Sequence, residues 1–202
     1  MEYSDVVRRR RMVRAFDPRP IPRDVAERLL AYLQRGPSSG FTQGFEFLVF
    51  DGAEETAVFW SNIHAGARPN LALTLPAPLV IVPFAHEQAY VDRYHEPDKV
   101  AAARKSGADF PAPYWFIDSA FAAMLVLLGA IGEGLGAFYF SIAANRRGIE
   151  SFIERMAIPS GYWPIGAIAV GYPTDADDAR PEHATIRARR RPTGQMIHIG
   201  HW

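Results

Sequence analysis

The chain has 202 residues, with 22 basic against 22 acidic side chains and 49% hydrophobic content. That fits one domain (1–202), or one protomer of an intertwined oligomer, with apolar residues enough for a core and too many for a disordered chain. Zero net charge offers no global field to nucleic acid or an anionic membrane, and the absence of cysteine excludes disulfides, thiolate zinc sites and thiol nucleophiles.

Residues 3–14 predict a short first helix with Val6, Val7 and Val13 as its apolar side. The same segment carries Arg8, Arg9, Arg10, Arg11 and Arg14, and charged residues so near Met1 do not read as a signal peptide. A helix through it would place Arg10 and Arg14 at i and i+4, where two guanidinium forks suit one phosphate. A second helix is predicted at 22–35. Pro22 suits its first position, Val25, Leu29 and Leu33 recur at spacing four, and Gly36-Pro37 stops it.

"FEFLVFD" (45–51) reads as a strand, and "PLVIVPF" (78–84) as a strand covered on both faces. Residues 115–134 predict a buried helix that closes at Gly134 and Gly136. Its uncharged run, 119–132, is shorter than the roughly 20 residues of a bilayer span. Strands at 137–143 and 165–173 enclose a helix at 148–158. The tail from 174 is polar, carries Arg187, Arg189, Arg190 and Arg191, and ends in "MIHIGHW". Its apolar end with Trp202 predicts packing on a partner subunit or a sheet edge. This alternation of elements indicates α/β or α+β.

Several chemical motifs fail on context. "GPSSG" satisfies the hydrolase elbow pattern with Ser38 as nucleophile, but follows a helix and precedes a strand, the reverse of the required order. "GEGLG" (132–136) ends a helix, whereas a pyrophosphate cradle opens one. His86-Glu87 lacks a second histidine, and His198 and His201 lie in a tail without carboxylates, so no metal site is expected. Asp118, at the start of the apolar helix, predicts an N-cap. The arginines then remain either a solvated face or a phosphate site joined by the second cluster at 187–191. Nucleic acid is disfavoured by the charge balance and the lack of a recognition helix.

The order of features carries more. "VVRRRRMVRAFD" and "PIPRDVAERLLAYLQRGPSSGFTQGFEFLVF" resemble the opening of the FMN-dependent nitroreductase family, with its RRSVR-F segment, helix and PSxxNxQPW-F loop. "APLVIV", "DSAFAAMLVLLGAIGEGLGAFYF", "IGAIAVGYP" and "RRRPTGQMIHIGHW" follow in the family's order, so the resemblance spans essentially the whole chain. It implies an α+β homodimer with a mainly antiparallel sheet, flanking helices, and a C-terminal extension (174–202) embracing the partner. FMN would lie at the dimer interface.

By the same resemblance, Arg10, Arg11 and Arg14 match the family's phosphate-binding arginines, and Arg190 matches the C-terminal basic position closing on the same phosphate. Met12, inside that segment, replaces the usual serine hydroxyl. Pro37, Ser38 and Ser39 match the loop that the second subunit lends to the flavin ring, with Gln43 as the loop glutamine. Ser141, Ile142 and Ala143 fall where backbone N–H groups approach the flavin's reactive edge. Phe41 stands in place of the loop asparagine, and Gly44-Phe45 in place of Pro-Trp. Tyr114 and Trp115, with Phe41, are candidates for the acceptor side.

The implied activity is ping-pong transfer of reducing equivalents from NADH or NADPH through FMN to an electron-poor acceptor, needing no side-chain nucleophile. The alternatives are an FMN-storage protein, oxygen-dependent flavin fragmentation, or a deazaflavin-linked reduction. A cytoplasmic protein is expected, with neither a nucleic-acid nor a membrane partner.

Overall fold

The computed structural model describes residues 1–63, 69–103, 110–178 and 182–201. Helices α1 (Tyr3–Arg9) and α2 (Arg23–Leu33) flank the short strand β1 (Phe16–Asp17). Strand β2 (Phe45–Asp51), helix α3 (Ala53–Asn62) and strand β3 (Leu79–His86) follow, then helices α4 (Glu87–Tyr94) and α5 (Pro97–Ala103). Helix α6 (Tyr114–Gly132) leads into β4 (Gly136–Phe140), then α7 (Arg146–Arg155), β5 (Tyr162–Pro164) and β6 (Ala167–Pro173). The last helices are α8 (Asp175–Asp178) and α9 (Glu182–Ala188).

The sheet runs β2–β3–β6–β4, with β5 beside the end of β3 and β1 beside the end of β6, and every strand pair is antiparallel. The class is therefore α+β. Both faces of the sheet are covered, which explains why "LVIVPF" shows no polar alternation. Side chains of successive strand residues point to opposite faces. Val80, Val82 and Phe84 accordingly join Phe59 and Trp60 of α3 and Phe152 of α7 in one core. Leu79 and Ile81 face the other way, onto Leu29 and Leu33 of α2 and Val126 and Ala130 of α6.

The predicted elements are present with shifted ends. Pro22 caps α2 from outside instead of opening it. The strand expected at 165–173 is β6, which starts at Ala167 after Gly166 takes φ 155°, and the short β5 precedes the expected range. Strand β4 stops at Phe140, leaving Ser141–Ala143 in the following turn. Helix α6 starts before Asp118, so its 19 residues do reach the length and apolarity of a bilayer span by those criteria alone. In this fold its Asp118, Ser119, Ala122, Val126 and Ala130 are buried.

The largest departure is at the arginines. Helix α1 ends at Arg9, and Arg10 already has φ −56°, ψ 119°. The chain then runs alongside the start of β4. Met12 bridges to Ala137, and the Val13 N–H donates to the Ala137 carbonyl at 3.0 Å. Burial of Val13, 4% exposed, against Gly136 drives this, since the extended path seats an apolar side chain that a helix would have turned among like charges. Arg10 and Arg14 therefore do not share a helix face.

Candidate functional site

The extended path still brings the arginines together. Alternate residues of such a stretch face opposite sides, which separates Arg10, Met12 and Arg14 from Arg11, Val13 and Ala15. A cavity of about 470 Å³ is lined by Arg8–Met12 and Arg14, with Ile186 of α9 and Arg190 from the tail. The two clusters separated in sequence thus converge within one chain.

Their charges are not equally available. Arg8 pairs with Asp5 on α1, and Arg11 pairs with Asp177 and Asp178 of α8. Arg14 lies over the Phe138 ring at 4.6 Å and donates to the Met12 carbonyl at 3.2 Å. Among the described residues, Arg10 and Arg190 make no ion pair. A cavity with unneutralised guanidinium groups and an apolar wall at Ile186 suits an anionic group carried on a larger organic ligand.

The serine loop forms a second region. Ser39–Phe41 is a 3-10 turn, and Gly40, Phe41 and Gln43 take φ of 64°, 53° and 52°. Left-handed backbone is natural for glycine and uncommon for phenylalanine, so this is a strained segment. Phe41 is 76% exposed at its tip. The Gln43 N–H donates to Ser38 Oγ at 2.9 Å, and Ser39 Oγ and Tyr94 Oη lie 2.7 Å apart. Pro37 is exposed.

Asp118 anchors that loop. It lies one turn inside α6, not at its cap, because Pro113 precedes the helix. Its Oδ2 accepts the Ser39 N–H at 2.8 Å and the Tyr90 hydroxyl at 2.7 Å. Burial, and next the hydrogen bond to Asp118, push the Tyr90 phenol well above the ordinary tyrosine range. A hydroxyl that donates to a buried carboxylate resists giving up its proton.

Ser141–Ala143 lies at the opposite end of β4 from the arginines. The advance from Ala137 to Ser141 is about 13 Å at roughly 3.3 Å per residue. Ile142 is buried, and Ser141 is exposed with its Oγ donating to the Ala143 carbonyl at 2.5 Å. Trp115 lines a separate cavity of about 550 Å³ with Phe116, Tyr162, Trp163 and Arg146. Tyr114 instead meets Phe110 edge-on at 6.1 Å. His86 stacks on Tyr162 at 4.3 Å, His198 and His201 are exposed, and no acidic or histidine group fit for a metal occurs among the described residues.

The tail begins on its own chain: the Thr174 N–H donates to the Ala15 carbonyl at 3.2 Å. Residues 188–201 are exposed, and Trp202, expected to pack on a partner subunit or a sheet edge, lies outside the described residues. Sequence reasoning missed Asp177 and Tyr90 and misread Asp118. Only the acidic run "TDADD" signals the first; Tyr90 carries no local signal.

The nitroreductase family model matches residues 7–172. The chain is 22% identical over 180 residues to a Methanothermobacter thermautotrophicus protein named as an NADH dehydrogenase/NAD(P)H nitroreductase, covering 89% of this chain and 82% of that one. A nitroreductase family protein from Clostridium difficile superposes with a TM-score of 0.72 at 17% identity, covering all of both chains. A Desulfovibrio desulfuricans protein described as a nitroreductase in complex with FMN gives a TM-score of 0.69 at 17% identity, over 98% of this chain and 95% of that one.

Proposed function

The chain belongs to the nitroreductase family, and from that premise we propose that it is an FMN-dependent oxidoreductase. In this reading it works as a cytoplasmic homodimer, passing reducing equivalents from NADH or NADPH to a small electron-poor acceptor, nitroaromatic or quinone-like. The observation that carries the reading is the cavity shared by Arg10, Arg14 and Arg190 at one end of β4, with the Ser141–Ala143 turn at the other. Those residues fit a ligand with a phosphate at one end and a flat ring about a strand's length away.

Bound FMN would supply the two-electron redox chemistry between nicotinamide and acceptor. Arg10, Arg14 and Arg190 would hold its phosphate, with the Met12 main chain setting their spacing. Arg11 would act at one remove, through its carboxylate partners. Backbone N–H groups of Ser141, Ile142 and Ala143 would face the reactive edge of the ring and favour its reduced, charged form. Pro37, Ser38 and Ser39 of a second copy, held by that copy's Asp118, would border the ring, with Gln43 shaping the loop. Phe41 and Trp115 would offer aromatic faces to the acceptor, while Tyr114 supports Phe110.

The dimer is supported by apolar surface: Tyr3 and Val7 on α1, and Phe121 and Met124 on α6, are exposed, and these two helices pack together. Reductant and acceptor would take turns at one ring face, giving ping-pong kinetics. The test is anaerobic addition of NADH or NADPH to FMN-loaded protein. Loss of the yellow colour, restored by a nitroaromatic or quinone, is the expected result. Protein that takes up no FMN contradicts the proposal, and protein that stays yellow supports storage or a different electron donor.

A further inference from the structure

We propose that Asp177 is a positioning residue that sets the geometry of the arginine cavity, with Arg11 serving as its counter-ion and not as a phosphate ligand. This rests on the flavin reading above. Asp177 is fully buried. Its Oδ1 accepts the backbone N–H of Arg14 at 2.6 Å and of Ala15 at 3.2 Å, across 163 and 162 positions of sequence. Its Oδ2 pairs with the Arg11 guanidinium, whose second nitrogen reaches Asp178.

The physical need for it is local. Between α1 and β1 the chain crosses a region where no ladder serves it: Met12 makes an isolated bridge, and the Val13 N–H is satisfied by Ala137. The next two N–H groups point inward, and a buried unpaired N–H is costly. Asp177 satisfies both, fixing the backbone from which the Arg14 side chain departs. Thr74 completes the hold, its hydroxyl donating to the Arg14 carbonyl at 3.0 Å.

A buried carboxylate beside an anion site would repel the anion unless compensated. Arg11, with only a third of its side chain exposed, provides that compensation at the cavity wall, beside Arg10, Arg14 and Arg190. Asp177 also sits on α8, which precedes in sequence both α9, with its Ile186, and Arg190. It therefore joins the two halves of the cavity, N-terminal segment and tail.

The test compares FMN with riboflavin, the same ring without the phosphate, by flavin-fluorescence titration of the apoprotein. The riboflavin dissociation constant divided by that of FMN isolates the phosphate end. Asp177→Ala, which removes the acceptor of both N–H groups, is expected to lower that ratio about tenfold while riboflavin affinity changes less than twofold; a general loss of structure would weaken both flavins together. Arg11→Gln, which leaves the backbone hydrogen bonds intact, is expected to lower the ratio less than Arg10→Ala does. An unchanged ratio in Asp177→Ala overturns the role of Asp177. If Arg11→Gln matches Arg10→Ala, Arg11 touches the phosphate directly and the assignment is wrong. Wild-type protein that binds neither flavin overturns the flavin reading itself, and this proposal with it.

Discussion

The arginine segment and the serine loop are fixed by the same device and differ in how its charge is balanced. In each, a buried aspartate from a distant part of the chain accepts a main-chain N–H that no strand or helix satisfies: Asp177 for Arg14 and Ala15, Asp118 for Ser39. Asp177 faces a guanidinium, whereas Asp118 faces a tyrosine hydroxyl. The first region is therefore held electrostatically beside further unneutralised cations. The second is held by neutral donors to its carboxylate, and it stores backbone strain at Phe41.

The comparison breaks most visibly at the cavity. Replacing both Arg10 and Arg14 by alanine is expected to weaken FMN at least about 100-fold, at about 1.5–3 kcal/mol for each charge-assisted contact. Riboflavin binding, measured by the same fluorescence titration, should hardly move. A loss shared equally by the two flavins would mean that the arginines support the fold and not the phosphate.

At the loop, Asp118→Ala strands the Ser39 N–H and the Tyr90 hydroxyl and is expected to cost about 2–4 kcal/mol, read from denaturant melts. Gly44→Ala tests the same anchor from the other side. Its methyl would lie 2.4 Å from Tyr90 Cε2, so a loss of about 1–3 kcal/mol is expected. The smallest effect has the opposite sign. Phe41→Asn relieves the left-handed backbone with a residue that tolerates it, and should stabilise by about 0.5–1 kcal/mol while lowering acceptor turnover. A destabilised variant would show that Phe41 is held by contacts and not strained.

The two regions were also unequally legible in the sequence. Period-four apolar spacing located α2, aromatic and β-branched content located β2, and continuous apolar runs located β3 and α6, because burial of those side chains is a local property of the sequence. The same pattern misled at residues 10–14. Arg10 and Arg14 look like helix neighbours, but Val13 seeks the sheet and pulls the chain out of the helix. Asp118 was legible as the charged residue bounding an apolar run, and local reasoning assigned it to the nearest helix end. Its partners, Ser39 and Tyr90, are 79 and 28 positions away and leave no trace beside it. Asp177, in an ordinary-looking acidic turn, needed the fold to bring it against Arg14. What the ordered set of segments did convey was the family and the α+β class.

The most direct test of the account is a crystal structure of the protein loaded with FMN. The phosphate is expected within hydrogen-bond reach of Arg10, Arg14 and Arg190, with Arg11 still turned to Asp177 and the ring beside Ser141–Ala143. A phosphate seated away from those three arginines, or one held by Arg11 with Asp177 released, would contradict it.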